Sequence, residues 1–162
     1  MLNNNFFYLT INDIYRNGFI KPVYVNKYQT LDELLMKEQN NLKKDFIYVV
    51  DDENKLEGYF NLDIVLEHFF HYSSCKDDNN EGGNSLLKIM PFVVDDIMYE
   101  NTTFVNADTA ICEVIKIMYT EMKLELPVLD ARQKLLGVVY FSDILSAFYK
   151  LNNRSEAVYE TA

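Results

Sequence analysis

The feature that most constrains this chain is an ordered series of short sequence blocks that occurs twice. The blocks are Asn12–Tyr15, Val25–Asn26, Thr30–Leu35, Ile47–Asp51, Lys55–Gly58 and Asp63–Leu66 in the first copy, and Asp95–Met98, Val105–Asn106, Ala110–Ile115, Leu126–Asp130, Lys134–Gly137 and Asp143–Leu145 in the second. Apolar and turn positions rarely align in the same order and spacing by chance. The sequence therefore predicts an internal duplication in which both halves share one topology.

Each copy is predicted to contain a short strand, a helix, two strands joined by a polar turn, and a last helix. The strands are short and apolar, and each helix has apolar residues on one face. Thr30 and Glu33 have the spacing of a capping box at the start of the first long helix. Gly58 and Gly137 lie inside the returning strands, where a missing side chain allows close approach of another backbone or a ligand. The predicted fold class is α/β (α+β), built from two β-α-β-β-α repeats.

The repeat boundaries follow from the block positions. We predict a first repeat over residues 1–72 and a second over residues 89–151. Residues 73–88 are polar, contain Gly82 and Gly83, and have no apolar period, which is typical of an exposed insertion. Residues 152–162 are predicted to form a flexible tail.

Charge and cysteine content narrow the class of partner. The chain has 25 acidic and 15 basic residues, a net charge of −10. Such a surface repels nucleic acid and anionic membranes, because binding to either depends on lysine and arginine. Cys75 and Cys112 show no paired pattern, and the sequence has no run long enough to span a membrane. These features, and the absence of a signal-peptide pattern at the start, predict a cytoplasmic protein.

With these blocks in place, the sequence resembles a tandem pair of cystathionine-β-synthase-type (CBS) domains, also called a Bateman module. The second copy is the closer match, through Asp96–Met98, Leu126–Asp130, Leu135–Val139 and Asp143–Leu145. The first copy is degenerate, with Ile47-Tyr48-Val49 where Leu-Pro-Val is expected. The resemblance covers residues 10 to 150 or so. It implies that the repeats pack around a pseudo-twofold axis and that clefts between them bind adenosyl compounds.

The resemblance also implies a function. Ligands in the family are AMP, ADP, ATP, S-adenosylmethionine or cyclic di-adenosine monophosphate, and their binding regulates an attached or separate protein. We therefore expect a stand-alone, non-enzymatic sensor that modulates a partner protein, with no cofactor beyond the regulatory ligand. A ligand-free dimeric scaffold is the alternative. No Ser-His-Asp set, Cys-His pair or phosphate-binding glycine loop is visible in the sequence.

In nucleotide-binding family members, an aspartate that opens the last helix faces the cleft, and a threonine or serine stands three residues before it. Asp143 and Asp63 match the aspartate, and a carboxylate is well suited to accept two ribose hydroxyl protons. Tyr140 and Phe60 occupy the hydroxyl position, which leaves Ser142 and Asn61 as nearby polar alternatives. The remaining candidate ligand-binding residues, expected to form apolar walls, are Val105, Leu126, Pro127, Val139 and Ile47.

Charge also bears on the choice of ligand. A triphosphate needs several cationic neighbours, and the sequence offers few: Lys21, Lys43, Lys44 and Lys123. AMP, adenosine-like compounds or S-adenosylmethionine are therefore expected in preference to ATP.

Two further patterns have functional interpretations. His68, His71 and Cys75 have a spacing that suits a metal, although their position at a helix end beside a polar loop favours ordinary surface residues, and no metal is predicted. Aromatic residues concentrate on the last helix of each copy: Phe69, Phe70, Tyr72, Phe148 and Tyr149. We expect these residues to form a homodimer face, because large apolar patches on a small protein mark interfaces.

Overall fold

The structure is a computed structural model and describes residues 4–37, 46–74 and 92–156. A 3₁₀ turn at Asn4–Tyr8 comes first, and six helices and six strands follow in the described residues. They are α1 (Ile11–Ile14), β1 (Tyr24–Asn26), α2 (Leu31–Lys37), β2 (Ile47–Val50), β3 (Leu56–Phe60), α3 (Leu62–Ser74), α4 (Val94–Ile97), β4 (Val105–Asn106), α5 (Ile111–Glu121), β5 (Glu125–Leu129), β6 (Leu135–Tyr140) and α6 (Phe141–Glu156). Among the helices of these ranges, none combines the length and apolar character needed to cross a bilayer.

The strands form two three-stranded sheets with the same topology. In the first sheet β1 pairs in parallel with β2, which pairs antiparallel with β3, and in the second β4, β5 and β6 repeat this pattern. Both antiparallel pairs shift register near their end, between Val49 and Val50 and between Val128 and Leu129. The predicted β-α-β-β-α order in each copy is confirmed, and the two sheets also share the position of this irregularity.

The chain packs as two compact units whose boundaries differ from the repeat boundaries read from sequence. One unit combines residues 1–21 with residues 103–162, and the other contains residues 22–102. The first segment of the chain thus packs with the second sheet. A backbone bridge between Ile20 and Val138 joins that segment to β6, and a bridge between Tyr59 and Tyr99 joins β3 to the segment before β4.

The last helix is longer than the sequence suggests. α6 continues to Glu156, so residues 152–156 are helical where a flexible tail is predicted from residue 152. No glycine or proline interrupts this stretch, and nothing in its local sequence ends the helix. Residues 75–91, which contain most of the predicted insertion 73–88, and residues 157–162 lie outside the described residues.

Each unit has its own apolar core. The core beside the second sheet is formed by Phe6, Ile11, Val105, Ile111, Val114, Met118, Leu126, Val128, Val139 and Ile144. The core beside the first sheet is formed by Val25, Leu34, Ile47, Val49, Phe60, Ile64, Val94 and Ile97. Matching positions of the two copies are buried alike, such as Val25 and Val105, Ile47 and Leu126, and Ile64 and Ile144, as the duplicated pattern predicts.

The two strand glycines lie against neighbouring backbone. A Cβ built on Gly137 would overlap the Cβ of Phe19 and lie 2.9 Å from the carbonyl oxygen of Ile20. A Cβ built on Gly58 would overlap the carbonyl oxygen of Tyr99. The prediction of close backbone approach is confirmed at both sites. The approaching group is a backbone segment that pairs with the sheet.

Local capping also follows the sequence. The Thr30 Oγ1 accepts a hydrogen bond from the Glu33 backbone N–H, and the Thr30 backbone N–H donates to the Glu33 carboxylate, both at 3.3 Å. This is the predicted capping box of α2. The hairpin turns of the two copies are held alike, because Asp51 and Asp130 each accept bonds from the backbone N–H groups two and four residues ahead.

Candidate functional site

The most distinctive polar arrangement in the described residues lies at the start of α6. Asp143 is in the first turn of this helix, where a carboxylate is favoured by the helix dipole, and its side chain is half-buried. The phenolic hydroxyl of Tyr15 donates a hydrogen bond to Asp143 Oδ2 at 2.6 Å. A short bond to an ionised acceptor belongs to the stronger class of hydrogen bonds. Asp143 therefore accepts a hydrogen bond from a hydroxyl group within the folded chain.

The Tyr15 oxygen makes a second contact with the same region. It accepts a hydrogen bond from the backbone N–H of Tyr140, the last residue of β6, at 3.3 Å. The Tyr15 ring lies 5.8 Å, centroid to centroid, from the ring of Phe19. One phenol thus connects the end of β6 to the first turn of α6.

Backbone pairing of the first segment explains how Tyr15 reaches this position. Ile11 and Asn12 donate backbone hydrogen bonds to Thr109 and Ala107, and Ile111 donates to Leu9. Ile11 is fully buried in the adjacent core. These contacts fix α1 against the loop before α5, and Tyr15 is the residue that ends α1.

The surroundings of Tyr15 change its acidity. Burial, followed by the hydrogen bond to Asp143, raises the pKa of the Tyr15 phenol well above its usual range. The Tyr15 hydroxyl therefore keeps its proton and remains a donor at every pH at which the protein is normally handled.

This raised pKa predicts a stability change at alkaline pH. The unfolded chain ionises Tyr15 near pH 10. Because the folded-state pKa is higher, the stabilisation is complete below that pH and is lost as pH rises toward the folded-state pKa. We expect the wild type to lose about 1 kcal/mol more unfolding free energy than Tyr15→Phe between pH 9 and 11, after allowance for partial exposure. Urea denaturation at both pH values measures this difference, and equal losses in the two proteins would contradict it.

The residues proposed from sequence as apolar walls have their side chains in the cores. Val105, Leu126 and Val139 are at most 3% exposed and belong to the core beside the second sheet, and Pro127 is also buried. Ile47 is in the other core at 1% exposure. Their side chains pack in the two cores, and Leu126 and Val139 also pair with each other between β5 and β6.

The polar candidates near Asp143 have different surroundings. Tyr140 is half-buried, and its backbone N–H is bonded to Tyr15. Ser142 is exposed at the start of α6. Asp143 and Tyr140 are therefore brought together, with Tyr15 as the group that links them.

The matching position in the other unit lacks this arrangement. Asp63 lies in the first turn of α3 and is exposed. Asn61 caps the same helix, because its Oδ1 accepts the backbone N–H of Ile64 at 3.1 Å. Phe60 is fully buried in the core, and the sequence blocks align Met98 with Tyr15. The two copies thus share a fold and differ in the chemistry at the helix start.

A separate groove follows β1 in the unit of residues 22–102. It has a volume of about 640 Å³ and is lined by Pro22, Val23, Tyr24, Val25, Asn26, Tyr28 and Gln29. None of the candidate ligand-binding residues lines it. Tyr24 and Tyr28 are more than half exposed, and the Lys27 ammonium lies 5.4 Å from the centre of the Tyr28 ring.

The structure describes only some of the residues in the proposed metal site and the proposed dimer face. Within residues 4–37, 46–74 and 92–156, no group of three histidine, cysteine or acidic residues could hold a metal ion. The side chain of His71 and the whole of Cys75 lie outside the described residues, as do the side chains of Phe69, Phe70 and Tyr72. Phe148 was predicted to face a partner, but its ring packs 5.1 Å from that of Phe6 inside its own unit. Tyr149 is 68% exposed.

Tyr15 is the residue that the sequence interpretation missed. It lies in the repeated block Asn12–Tyr15, and its counterpart Met98 in Asp95–Met98 has no hydroxyl. A polar residue at one of two otherwise apolar matching positions was the available signal. Its partner is 128 residues away, so only the packing of the first segment with the second sheet reveals the contact.

Comparison with known proteins supports the fold. Residues 94–150 match the CBS domain family. No curated protein matches the chain. A CBS domain-containing protein from Thermotoga maritima superposes with a TM-score of 0.61 at 21% identity, covering 88% of this chain and 96% of that one.

Two solved structures with similar folds contain nucleotides. CBSX2 in complex with AMP has a TM-score of 0.59 at 20% identity, covering 89% of this chain and 98% of that one. The cytosolic domain of the Mg²⁺ channel MgtE in complex with ATP has a TM-score of 0.58 at 25% identity. That match covers 78% of this chain and 44% of the MgtE chain, so this chain corresponds to less than half of that protein domain.

Proposed function

This chain has the fold of a tandem pair of CBS domains, and we propose that it is a non-enzymatic regulatory module that binds an adenosyl ligand through Asp143. In this proposal the module acts in the cytoplasm and controls a separate partner protein. The observation that carries the proposal is the half-buried Asp143 carboxylate, which already accepts a hydroxyl hydrogen bond at 2.6 Å. Proteins of similar fold in complex with AMP and with ATP support the class of ligand.

The chemistry of a ribose suits the start of α6. A vicinal diol presents two hydroxyl protons, and a carboxylate has two oxygens that can accept them. Asp143 is held in the first turn of α6 beside the last residue of β6, so its position is fixed by two regular elements. The backbone groups of Tyr140 and Ser142 lie at the same strand-to-helix junction and are offered as further contacts.

The charge of the chain favours a ligand with little negative charge. A net charge of −10 opposes a triphosphate unless several cations are placed beside it. Lys21 is exposed and Lys123 half-buried, while Lys43 and Lys44 lie outside the described residues. We therefore favour AMP, an adenosine-like compound or S-adenosylmethionine over ATP and cyclic di-adenosine monophosphate.

A homodimer is part of the proposal. Leu145 and Tyr149 are 52% and 68% exposed and lie one helical turn apart on α6, so they form an apolar strip on the outside of their unit. Tyr149 belongs to the aromatic set that the sequence suggested, whereas Phe148 of that set packs against Phe6 inside its own unit. Association through it would bury side chains that are otherwise in water.

The alternative function is a dimeric scaffold without a ligand. One observation favours it: the Asp143 carboxylate has an internal partner in Tyr15, and the matching position in the other unit has the buried, apolar Phe60. A scaffold would use Asp143 only to fix the first segment of the chain.

Calorimetric titration with AMP, ATP, S-adenosylmethionine and cyclic di-adenosine monophosphate separates the two functions. The sensor function predicts saturable binding of AMP or S-adenosylmethionine, and weaker binding of ATP. Native mass spectrometry of the same samples reports the oligomeric state and any retained small molecule. A stable dimer that binds none of the four compounds would contradict the sensor function and support the scaffold.

A further inference from the structure

The Tyr15 hydroxyl occupies the carboxylate oxygen that a ligand diol would use. Its distance of 2.6 Å from Asp143 Oδ2 leaves no room for a second hydroxyl in the same direction. A diol that approaches Oδ2 from the side of Tyr15 therefore competes with the phenol for that oxygen. Each carboxylate oxygen has two lone pairs, and the Tyr15 bond takes one of those on Oδ2.

We propose that Tyr15 is an internal competitor of the ligand and closes the Asp143 site when no ligand is bound. This inference rests on the proposed function, since it names the group that an adenosyl ligand must displace. A merely structural Tyr15 would only stabilise the fold. As a competitor, its hydroxyl stabilises the fold and also weakens ligand binding.

The contacts that hold Tyr15 on Asp143 can be released by movement of one side chain. The phenol is held by two hydrogen bonds, one to Asp143 and one from the Tyr140 backbone N–H at 3.3 Å. Both are at the tip of the side chain, and the ring is half-buried. A rotation of the side chain would release both bonds without breaking the backbone bonds of Ile11 and Asn12 that anchor α1.

Displacement of Tyr15 would also carry the effect of ligand binding to the surface that a partner protein contacts. Tyr15 ends α1, and residues 16–20 lead from it to the bridge between Ile20 and Val138. The closed arrangement has the phenol on Asp143, and the open one has the ligand there. A ligand that binds only the open arrangement shifts the population toward it, and the surface around residues 15–20 changes in response.

The other copy supplies an internal comparison. The sequence blocks align Met98 with Tyr15, and in the structure its side chain lies against Gly58 as Phe19 lies against Gly137. A thioether sulfur cannot donate a hydrogen bond to a carboxylate. The closure is thus specific to the unit that contains Asp143.

The test is AMP titration of wild type, Tyr15→Phe and Tyr8→Phe. Tyr15→Phe keeps the ring and removes the competing hydroxyl, so AMP is expected to bind about tenfold more tightly, as for a protein whose competent fraction rises by that factor. Tyr8 is 79% exposed in the same segment and serves as the matched control, with unchanged affinity expected. Circular dichroism shows whether each variant is folded.

The outcomes separate the inference from the proposed function. Binding to wild type with equal or weaker binding to a folded Tyr15→Phe would overturn the competition and leave the sensor function standing. Binding to Tyr15→Phe alone would support the competition and contradict AMP sensing by the wild type. If neither protein binds AMP, S-adenosylmethionine or ATP, both proposals are overturned.

A second measurement observes Tyr15 directly in the wild type. Wild type labelled with 3-fluorotyrosine gives one fluorine resonance for Tyr15, identified by its absence from labelled Tyr15→Phe. Saturating AMP is expected to move this resonance toward the position of exposed tyrosines. A Tyr15 resonance that stays in place while AMP binds would overturn the inference.

Discussion

Replacement of Gly137 by alanine is expected to lower the free energy of unfolding by about 3 kcal/mol or more, the range of severe overpacking. The added Cβ would overlap Phe19 and crowd the carbonyl oxygen of Ile20. The Ile20 oxygen is backbone, and it accepts the hydrogen bond from the Val138 backbone N–H that joins the first segment to β6. The crowding therefore breaks that bridge or moves the whole segment.

Gly58→Ala is expected to have a similar effect in the other unit, because its Cβ would overlap the carbonyl oxygen of Tyr99. Leu136→Ala is the matched control in β6, since Leu136 is 40% exposed and its truncation should cost under about 1 kcal/mol. Urea denaturation of the three variants measures these differences. A Gly137→Ala protein as stable as Leu136→Ala would show that the first segment does not pack against β6 as described.

Loss of the Asp143 carboxylate is expected to weaken AMP binding by about 100-fold, the effect of removing two charge-assisted hydrogen bonds to a diol. Asp143→Asn keeps the shape of the side chain and can still accept the Tyr15 hydroxyl bond, so the fold should persist. Asp63→Asn is the matched control, because Asp63 occupies the same place in the other copy and is exposed. Its affinity for AMP should stay within about twofold of wild type.

Calorimetric titration of the two variants and wild type provides the measurement. Equal weakening by Asp143→Asn and Asp63→Asn would show that the two copies contribute alike to binding. Unchanged affinity in Asp143→Asn would remove the carboxylate from the site altogether.

The sequence contained enough information to predict the topology because each element is encoded locally and then repeated. Short β-rich runs, the Thr30–Glu33 capping pair and the turns at Asp51 and Asp130 each determine structure within a few residues. Gly58 and Gly137 also stand out in sequence, because a glycine inside an apolar strand needs a reason. Residues 152–156 continue α6, since no glycine or proline breaks the helix before them.

The chemistry of the site was less predictable. Asp143 was identified by its place at a helix start, but its partner Tyr15 belongs to a segment whose packing with the second sheet is a long-range choice. The apolar candidates Val105, Leu126 and Val139 stay predicted ligand contacts, and their burial was not foreseen because a strand pattern alone does not reveal which face meets the core. Packing of Phe148 against Phe6 likewise depends on that first segment.

The central claim is that the Asp143 carboxylate recognises the ribose diol of an adenosyl ligand. Paired titrations of wild type and Asp143→Asn with AMP and with 2′-deoxy-AMP test it most directly. We predict that loss of the 2′-hydroxyl weakens binding to wild type by about tenfold, the effect of one hydrogen bond to a charged group, and changes binding to Asp143→Asn much less. Equal affinity of wild type for the two nucleotides would contradict the claim.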